Sequence, residues 1–582
     1  MKKVLLCSLL AAASVFAQQY QAKDARVETN SSVSDPTQVA ALISNAAAAG
    51  GQYASIREGR VYFDINIATA GVYDVWVSYF NDDTSPKPQN VSVGTTIETV
   101  PFPVNGNLNF EKVKALSSVN LTAGSHTVGI GKGIGGNQSH GWINIDYIEI
   151  AAFESTPFSI STSLVTPNAS ANANKVYSFM RENFQKKIIS GVMTNEVLVG
   201  NNPITLNDQK EVAFIRQASG KTPALVGFDF FHGTGHKSDE QWFKNYNSST
   251  MSLAEELFER NGIPTFSWHW KDPNKRLVAG ENENMLFYTN THPGYSEGTS
   301  FNFAKAFTNE SRTTWDTNSD EYKGIMEDID VVADYLKQLA DKGVPVLWRP
   351  LHEAAGAFFW WGMAGPNALT TLWKTMFDRM VNHHGLDNLI WVWTCEEGRH
   401  GEDPLEWYPG DEYVDIIGRD YYYYNVPTKN HSSLISSFSK LKDIYSGRKM
   451  IALSEHGAIP YPENLIADKA GWSYFAPWYG QHTGVDGSTA HNTANDWNLI
   501  MNHDYVLTLE DMPVWANYTT PIQSNAPKNT QHFDIRTVDF SKAKIYDMHG
   551  KRVKANSFAE LKNGVYIVRV DGIAKKIAVD KR

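Results

Sequence analysis

The stretch PVLWRPLHEAAGAFFWWG, residues 345–362, places polar groups directly after a segment with the character of a buried strand. The apolar run 346–348 is typical of such a strand, and His352 and Glu353 follow it, before a group of aromatic residues. A buried carboxylate needs a partner or costs free energy. The stretch therefore predicts a strand that delivers a carboxylate and an imidazole to a site lined with aromatic rings.

Apolar segments of the same kind recur along the chain and alternate with helical patterns. The predicted strands are KIISGVM (187–193), TPALVGFDF (222–230), IPTFSWHW (263–270), VPVLWRPLHE (344–353), LIWVWT (389–394), VDIIGRDYYY (414–423), MIALSEHG (450–457) and GWSYFAPWYG (471–480). Eight strands that alternate with helices predict an α/β fold, a (β/α)8 TIM barrel. The alternative, an open doubly wound sheet, would normally show a glycine-rich phosphate loop after its first strand, and the sequence has none there.

Two glutamates occupy strand ends where barrel active sites form. Glu353 ends the fourth predicted strand and Glu455 ends the seventh. Paired carboxylates across a cleft are suited to glycosidic bond cleavage, with one as proton donor and the other as nucleophile or base. Phe358 and Trp360 offer faces on which sugar rings stack. These residues predict a glycoside hydrolase.

Two other classes of protein compete with this interpretation. His269, His352 and His456 could be the ligands of a metal-dependent hydrolase, but such barrels usually carry His-x-His on the first strand, which has no histidine. A non-catalytic protein that binds polysaccharide is the second alternative. It is disfavoured because both glutamates stand in full motifs.

Composition and texture divide the chain into segments. We predict a signal peptide at 1–17, an all-β sandwich module at 18–152, a linker at 153–171, the hydrolase barrel at 172–522, a linker at 523–537 and a small β domain at 538–582. The mature chain would keep one cysteine, Cys395, and so no internal disulfide. A net charge of −11 argues against a nucleic-acid partner. No other segment is long and apolar enough to span a membrane, so we expect a secreted protein.

The motifs WRPLHEAAGAFFWWG and LSEHG resemble those of glycoside hydrolase family 26, over roughly residues 172–520. The resemblance implies a retaining endo-β-1,4-mannanase that acts as a monomer on mannan, galactomannan, glucomannan and manno-oligosaccharides and needs no cofactor for catalysis. It implies that Glu353 is the acid/base and Glu455 the nucleophile. Further substrate contacts implied by motif position are His269, His352, Tyr422 and Trp478.

One departure from the family pattern concerns the residue five positions after the acid/base. The family usually has Trp there, and this chain has Phe358. Phenylalanine keeps a stacking face but lacks the indole N–H donor. Xylan and mixed-linkage glucan therefore stay open as alternative substrates.

The two ends of the chain also resemble known modules. LTAGSHTVGIG with GWINIDYIEI resembles carbohydrate-binding module family 35, which implies Trp142 as a sugar-stacking residue, with a core role as the alternative, and Asp146 as a ligand of structural calcium. The early acidic pair of that family is replaced by Gln21 and Lys23, which disfavours a hard cation; an ion pair between Lys23 and Asp146 is the alternative. YDMHGKRV and LKNGVYIVRV resemble sorting domains that retain secreted enzymes at the bacterial surface.

Overall fold

The computed structural model describes most of the chain and divides it into two compact units, residues 1–520 and 521–582. In the first unit the described residues are 17–31, 33–134, 142–394, 403–422 and 431–520, and in the second they are short segments between 544 and 579. Cys395, the linker predicted at 523–537 and all but the last residue of the predicted signal peptide lie outside the described residues.

The N-terminal region consists of short antiparallel strands. They are β1 (Gln18–Gln21), β2 (Arg26–Thr29), β3 (Ala41–Ser44), β4 (Gln52–Ser55), β5 (Gly59–Ile67), β6 (Gly71–Phe80), β7 (Gln89–Val93), β8 (Thr96–Val100), β9 (Glu111–Leu121), β10 (Gly124–Gly131) and β11 (Asn144–Ala152). One sheet has the order β3-β4-β11-β6-β9 with β1 added on β11, and the other has the order β2-β5-β10-β7-β8.

The two sheets share one apolar core. Along β5, buried residues alternate with more exposed ones, because successive side chains of a strand point to opposite faces of the sheet. Phe63 and Val128 of one sheet and Val77 and Ile148 of the other belong to the same buried cluster. This arrangement agrees with the sandwich architecture expected for 18–152.

Strands and helices then alternate through the central region. They are α1 (Ala171–Asn183), β12 (Ile188–Ile189), β13 (Gly191–Met193), β14 (Leu198–Val199), β15 (Asn202–Pro203), α2 (Lys210–Ser219), β16 (Leu225–Asp229), α3 (Gln241–Glu259), β17 (Ile263–Ser267), α4 (Asp320–Asp341), β18 (Val346–Arg349), α5 (Pro366–Phe377), β19 (Leu389–Thr394), α6 (Pro404–Trp407), β20 (Ile416–Tyr421), α7 (Ile435–Ile444), β21 (Met450–His456), α8 (Pro462–Asp468), β22 (Phe475–Pro477), α9 (Ala494–Met501) and β23 (Val506–Leu507).

Eight of these strands form a parallel barrel. The sheet runs in the order β13-β16-β17-β18-β19-β20-β21-β22, so every strand predicted from the sequence is present in its expected place. Just before the first and last barrel strands, a parallel bridge joins Ile189 of β12 to Tyr474, and the Ile189 N–H donates to the Ser473 carbonyl at 3.0 Å. The barrel is therefore nearly closed.

Local sequence signals explain where the helices begin and end. At the start of α4 the Ser319 hydroxyl accepts a hydrogen bond from the Tyr322 N–H at 3.1 Å, which satisfies one of the free donors of the first turn. The helix ends before Gly343, which adopts a left-handed φ of 69° that glycine tolerates best. A helix between the third and fourth barrel strands agrees with the alternation of strands and helices expected from the sequence.

The segment between the N-terminal module and the barrel lies against the barrel. The Thr156 hydroxyl donates to Asp443 at 2.7 Å, the Val165 N–H donates to Asp415 at 2.8 Å, and the Thr166 hydroxyl donates to the Leu389 carbonyl at 2.9 Å. These contacts fix a linker whose Ser- and Thr-rich composition alone would allow free motion.

The second unit contains a four-stranded antiparallel sheet among its described residues. Its strands are β24 (Lys544–Asp547), β25 (Arg552–Val553), β26 (Gly564–Val570) and β27 (Ile573–Val579), in the order β25-β24-β26-β27. A sorting role for this segment stays a prediction. Within the described residues of the chain, no helix has the length and apolar character needed to cross a membrane.

Candidate active site

A cavity of about 560 Å³ lies at the C-terminal ends of the barrel strands, the face on which barrel enzymes build their active sites. It is lined by His269, Tyr288, Tyr295, His352, Glu353, Phe358, Phe359, Tyr422, Glu455, Trp478, Tyr479, Gly480, Gln481, His482 and Asp486. Of the barrel residues that the sequence predicts as site residues, all except Trp360 border this cavity.

Glu455 lies at the end of β21 with both carboxylate oxygens hydrogen-bonded. Its Oε1 accepts from the Tyr422 hydroxyl at 2.5 Å, and its Oε2 accepts from Arg349 Nη2 at 2.7 Å. The residue is only 6% exposed. Two donors that converge on one buried carboxylate fix its position and stabilise its negative charge.

Arg349 connects Glu455 to a second buried acid, Asp420. Its Nη1 donates to Asp420 Oδ2 at 2.8 Å, and the Ser454 hydroxyl donates to Asp420 Oδ1 at 2.9 Å. Although burial disfavours the charged guanidinium, the carboxylates of Asp420 and Glu455 outweigh it and raise the pKa of Arg349. Arg349 is a site residue that the sequence motifs did not predict; its place directly after Trp348, on the strand that leads to Glu353, was the available signal.

Glu353 lies beyond the end of β18 in a strained loop. The backbone φ is 54° at Leu351, 53° at Glu353 and 51° at Ala357, in the left-handed region that side chains with a Cβ disfavour. Gly362 closes the loop, because a Cβ there would lie 1.9 Å from the Ala354 carbonyl oxygen. Strained backbone persists where the surrounding packing over-determines it, often at functional sites. Here it sets a half-buried carboxylate at the cavity.

Two histidine rings meet at the floor of the cavity. The rings of His269 and His352 are 4.6 Å apart at 70°. His352 is 1% exposed, and neither ring nitrogen has a hydrogen-bond partner in the structure. Burial, followed by the nearby His269 and Arg349, holds the pKa of His352 well below its ordinary value. A neutral imidazole with two free nitrogens can accept from one ligand hydroxyl and donate to another.

Asp229, at the end of β16, anchors His269. Its Oδ1 accepts the His269 backbone N–H at 3.0 Å, and its Oδ2 contacts His269 Nδ1 at 2.7 Å. Burial raises the pKa of Asp229, but His269 and the hydrogen bonds that it accepts outweigh that effect and hold the pKa below its ordinary value. No sequence motif predicted a role for Asp229.

The aromatic residues after Glu353 divide between the cavity wall and the core. Phe358 and Phe359 border the cavity with their rings 4.6 Å apart. The structure does not agree with a sugar-binding role for Trp360: it is 0% exposed, and its indole N–H donates to the Trp270 carbonyl at 2.5 Å. The neighbouring Trp361 is also fully buried and donates to the His352 carbonyl at 3.0 Å. Both tryptophans hold the loop in place.

Residues of two loops, neither predicted from the sequence to contribute to the site, complete the wall of the cavity. Tyr288 and Tyr295, from the long segment between β17 and α4, stack with ring centroids 3.7 Å apart at 6°. On the loop after β22, Gln481, His482 and Asp486 supply polar groups. The same loop begins with Trp478 and Tyr479, so both aromatic rings and polar groups border the cavity after the eighth strand.

The calcium site implied for the N-terminal module does not fit the residues present. Asp146 is 3% exposed, and its Oδ1 accepts the Ala49 N–H at 2.8 Å. The described residues contain no cluster of three acidic, histidine or cysteine side chains suited to a metal ion. The alternative ion pair is not formed either, since among the described ion pairs none joins Lys23 to Asp146.

Trp142, the candidate sugar-stacking residue of the module, lies on its surface. The side chain is 42% exposed, which argues against the core role considered as the alternative. Its indole N–H donates to Glu58 at 3.2 Å, and Lys132 forms an ion pair with the same carboxylate at 2.5 Å. The exposed ring is thereby held in one orientation.

A parallel barrel with glutamates after its fourth strand and on its seventh, both facing one aromatic cleft, is the architecture of a glycoside hydrolase. The family model described as Glycosyl hydrolase family 26 matches residues 165–511, more than half of the chain. The chain belongs to glycosyl hydrolase family 26 and is an enzyme of that class.

Known relatives cover most of the chain. The mannan endo-1,4-beta-mannosidase of Thermothelomyces thermophilus is 34% identical over 388 residues, which span 65% of this chain and 69% of the relative. The crystal structure of the Podospora anserina GH26-CBM35 beta-(1,4)-mannanase matches 86% of this chain and 99% of its own, with 31% identity and a TM-score of 0.53. A beta-mannanase from a symbiotic protist of the termite Reticulitermes speratus, crystallised with a gluco-manno-oligosaccharide, matches 61% of this chain and 99% of its own, with 38% identity and a TM-score of 0.53.

Proposed function

We propose that this enzyme is a secreted endo-β-1,4-mannanase that hydrolyses mannan, galactomannan or glucomannan with retention of anomeric configuration. The observation that carries the proposal is that Glu353 and Glu455 border the same cavity. The names of the family 26 relatives support a β-1,4-mannan as the substrate.

In the first step, Glu455 is the nucleophile and Glu353 the acid. A carboxylate oxygen of Glu455 forms a bond to the anomeric carbon while the bond from that carbon to the leaving oxygen breaks. Glu353 transfers its proton to that oxygen. The hydrogen bonds from Tyr422 and Arg349 to Glu455 support this assignment, because they hold the attacking oxygen in place.

In the second step, Glu353 acts as the base. It takes a proton from water, the water oxygen bonds to the anomeric carbon, and the ester bond to Glu455 breaks. Glu455 leaves as a carboxylate and Glu353 is protonated again, so the enzyme returns to its starting state. The two steps balance with the glycan, water and the two glutamates alone, and no cofactor takes part in them.

The remaining cavity residues bind the polysaccharide. His269, His352 and Trp478 contact the sugar at the cleaved bond, and Phe358, which borders the same cavity, stacks on a neighbouring sugar. The buried, unpartnered ring nitrogens of His352 support its role, since a buried polar group without a partner is costly unless a ligand satisfies it.

The flanking regions adapt the enzyme to an insoluble substrate. We propose that residues 18–152 form a carbohydrate-binding module with Trp142 at its binding surface, that residues 1–17 direct secretion, and that 538–582 retain the enzyme at the cell surface. The match to a GH26-CBM35 enzyme over 86% of the chain supports the first of these roles.

Reducing-sugar release and loss of viscosity from ivory-nut mannan, galactomannan, glucomannan, xylan and mixed-linkage β-glucan test the proposal. Wild type and Glu455→Ala are compared on each polymer. We expect a rapid fall in viscosity on the mannans only, which the variant abolishes while its binding to mannan persists. Activity confined to xylan or β-glucan would refute mannan as the substrate but keep the two-glutamate mechanism. Activity retained by Glu455→Ala would refute the mechanism.

A further inference from the structure

Both carboxylate oxygens of Asp229 contact His269, a residue that borders the cavity. Its Oδ1 accepts the backbone N–H of His269 at 3.0 Å, and its Oδ2 lies 2.7 Å from Nδ1 of the same residue and 2.5 Å from the Ser267 hydroxyl, which donates to it. The side chain is only 12% exposed. Two separate contacts from one carboxylate to one histidine fix both the backbone and the ring of that histidine.

The chemistry of the pair determines which ring nitrogen carries the proton. An ionised carboxylate can only accept hydrogen bonds, and the lowered pKa of Asp229 agrees with an ionised group. The contact at Oδ2 therefore requires a proton on Nδ1 of His269. The other ring nitrogen, Nε2, is left for a ligand in the cavity that His269 borders.

The surroundings of His269 leave the ring few other restraints. Its neighbours are aromatic rings: the ring centroids of Phe287, Trp478 and Phe359 lie 4.9, 5.5 and 5.7 Å away. The ring of His352 is nearer, at 4.6 Å, but neither of its nitrogens has a hydrogen-bond partner. Such neighbours limit the ring's position but do not distinguish its two nitrogens. Among the contacts described for the His269 side chain, only the one to Asp229 makes that distinction.

We propose that Asp229 is a positioning residue, which holds His269 as the Nδ1–H tautomer and so presents Nε2 as an acceptor to a hydroxyl of the bound sugar. The proposal rests on the glycosidase function proposed above. Asp229 itself does not border the cavity, so its effect on turnover passes through His269.

The substitution Asp229→Asn tests the positioning role of Asp229, because the two side chains have nearly the same size and shape. The amide oxygen can still accept the His269 backbone N–H, while the amide NH₂ replaces the oxygen that faces Nδ1. An NH₂ group donates, so the ring must shift its proton to Nε2, and the acceptor in the cavity becomes a donor. We expect kcat/KM on manno-oligosaccharides to fall about 10- to 100-fold, because two donors would face each other and the sugar hydroxyl would be left without an acceptor, with a melting temperature close to that of wild type.

A double-mutant cycle separates positioning from a structural role. In a His269→Ala background, Asp229→Asn should lower kcat/KM by less than about threefold, because the residue through which it acts is gone. Ser267→Ala removes one hydrogen bond to Asp229 without touching His269 and should keep activity within about threefold of wild type. Losses that multiply in the double variant, or an Asp229→Asn enzyme as active as wild type, would overturn the proposal.

A second measurement does not depend on the substrate. The full-length protein, labelled with ¹⁵N only at histidine, gives ring signals whose shifts report the tautomer, and the signal absent from His269→Ala identifies His269. We expect Nδ1–H in wild type and Nε2–H in Asp229→Asn. A wild-type ring protonated on Nε2 alone would overturn the proposal even if the enzyme cleaves mannan, whereas Nδ1–H in a protein inactive on mannan would count against the proposed function only.

Discussion

Arg349 and Glu455 form a buried ion pair in which Arg349 Nη2 donates to Glu455 Oε2 at 2.7 Å. The arginine comes from the fourth barrel strand and the glutamate from the seventh, and Asp420 on the sixth strand binds the other end of the guanidinium at 2.8 Å. The side chain of Arg349 is 1% exposed. One planar cation thus joins three strands beneath the cavity and fixes the proposed nucleophile.

Replacement of Arg349 by lysine tests the need for this planar bridge. A single ammonium group cannot reach both carboxylates in the same geometry, so one buried carboxylate loses its partner. We expect the free energy of unfolding to fall by about 2–4 kcal/mol and kcat to fall more than about tenfold. Urea unfolding and steady-state kinetics measure the two effects, and a lysine variant with wild-type kcat would show that charge alone suffices.

The proposed acid Glu353 predicts a dependence on the leaving group. In Glu353→Ala the first step lacks its proton donor, so substrates with poor leaving groups should lose about 10²–10⁴-fold in kcat/KM. Activated aryl glycosides, which need little protonation, should lose far less. Steady-state kinetics on a series of aryl mannosides measure how kcat/KM depends on the pKa of the leaving group. An equal loss across the whole series would contradict the acid role of Glu353.

The barrel could be predicted from the sequence because its strands are short apolar runs with polar or glycine-containing segments between them. The run LIWVWT at 389–394 coincides with β19 (Leu389–Thr394), and the predicted strand at 450–457 contains β21 (Met450–His456). Other strands are shorter than their apolar runs, as at β22 (Phe475–Pro477), because apolar residues beyond the ladder are still buried in the core.

The sequence was less informative about which way each side chain points. Trp360 and Phe358 have similar hydrophobic character, yet one is in the core and the other in the cavity wall. Their loop has a left-handed backbone at Glu353 and Ala357. The direction of a side chain in this loop therefore does not follow from its position in the sequence, as it would in a regular helix or strand. Arg349 and Asp229 were missed for another reason: their partners lie on neighbouring or distant strands, and spacing along the chain does not show such contacts.

Phe358 and Trp360 therefore predict opposite effects on substitution. Phe358→Ala removes part of the aromatic wall and should raise KM for long manno-oligosaccharides about tenfold, in line with one lost stacking contact. Trp360→Phe keeps the ring volume in part but leaves the Trp270 carbonyl without its donor. It should reduce stability by about 1–3 kcal/mol with KM unchanged. A raised KM in Trp360→Phe at normal stability would restore Trp360 as a substrate contact.

Buried histidines predict a loss of stability in acid. Burial lowers the pKa of His456 from 6.5 to about 3 in the folded enzyme. Between these values the unfolded chain binds the extra proton, so this contribution to stability is fully present above pH 6.5 and is lost as the pH falls toward 3. Each pH unit in that window costs up to about 1.4 kcal/mol for one such group. We expect the melting temperature of wild type to fall more steeply between pH 6.5 and 4 than that of His456→Gln.

Other titrating groups are present in both proteins, so their separate effects cancel in this comparison; only the charges of His482 and His491 act on His456 itself, and they lower its pKa. His482 has its pKa lowered by burial to about 4 and acts in the same direction as His456. Burial raises the pKa of Asp415 to about 7, so its contribution is present at low pH and is lost as the pH rises through 7. Parallel pH profiles for wild type and His456→Gln would mean that His456 does not titrate differently in the folded and unfolded enzyme.

The last prediction concerns the contact between the N-terminal module and the barrel. Lys114 of β9 lies 3.1 Å from Asp74 in its own module and 3.1 Å from Asp443 of the barrel helix α7. Although burial disfavours the ammonium, these two carboxylates together raise the pKa of Lys114. Because the lysine side chain is only 25% exposed, its pair with Asp443 is less screened by water than a surface pair. A cycle of Lys114→Ala and Asp443→Ala should give a coupling energy of about 1–2 kcal/mol.

A matched control for that cycle lies on the same strand. Lys112 pairs with Glu149 at 3.1 Å within the module, and its side chain is 43% exposed. Both Lys112 and Lys114 lie over the Trp76 ring, at 5.6 and 5.3 Å, so removal of either loses a similar contact with the ring. The Lys112–Glu149 cycle should give less than about 1 kcal/mol, as exposed pairs do. Equal coupling in the two cycles would show that the Lys114–Asp443 pair contributes no more than an exposed pair and does not hold the module to the barrel.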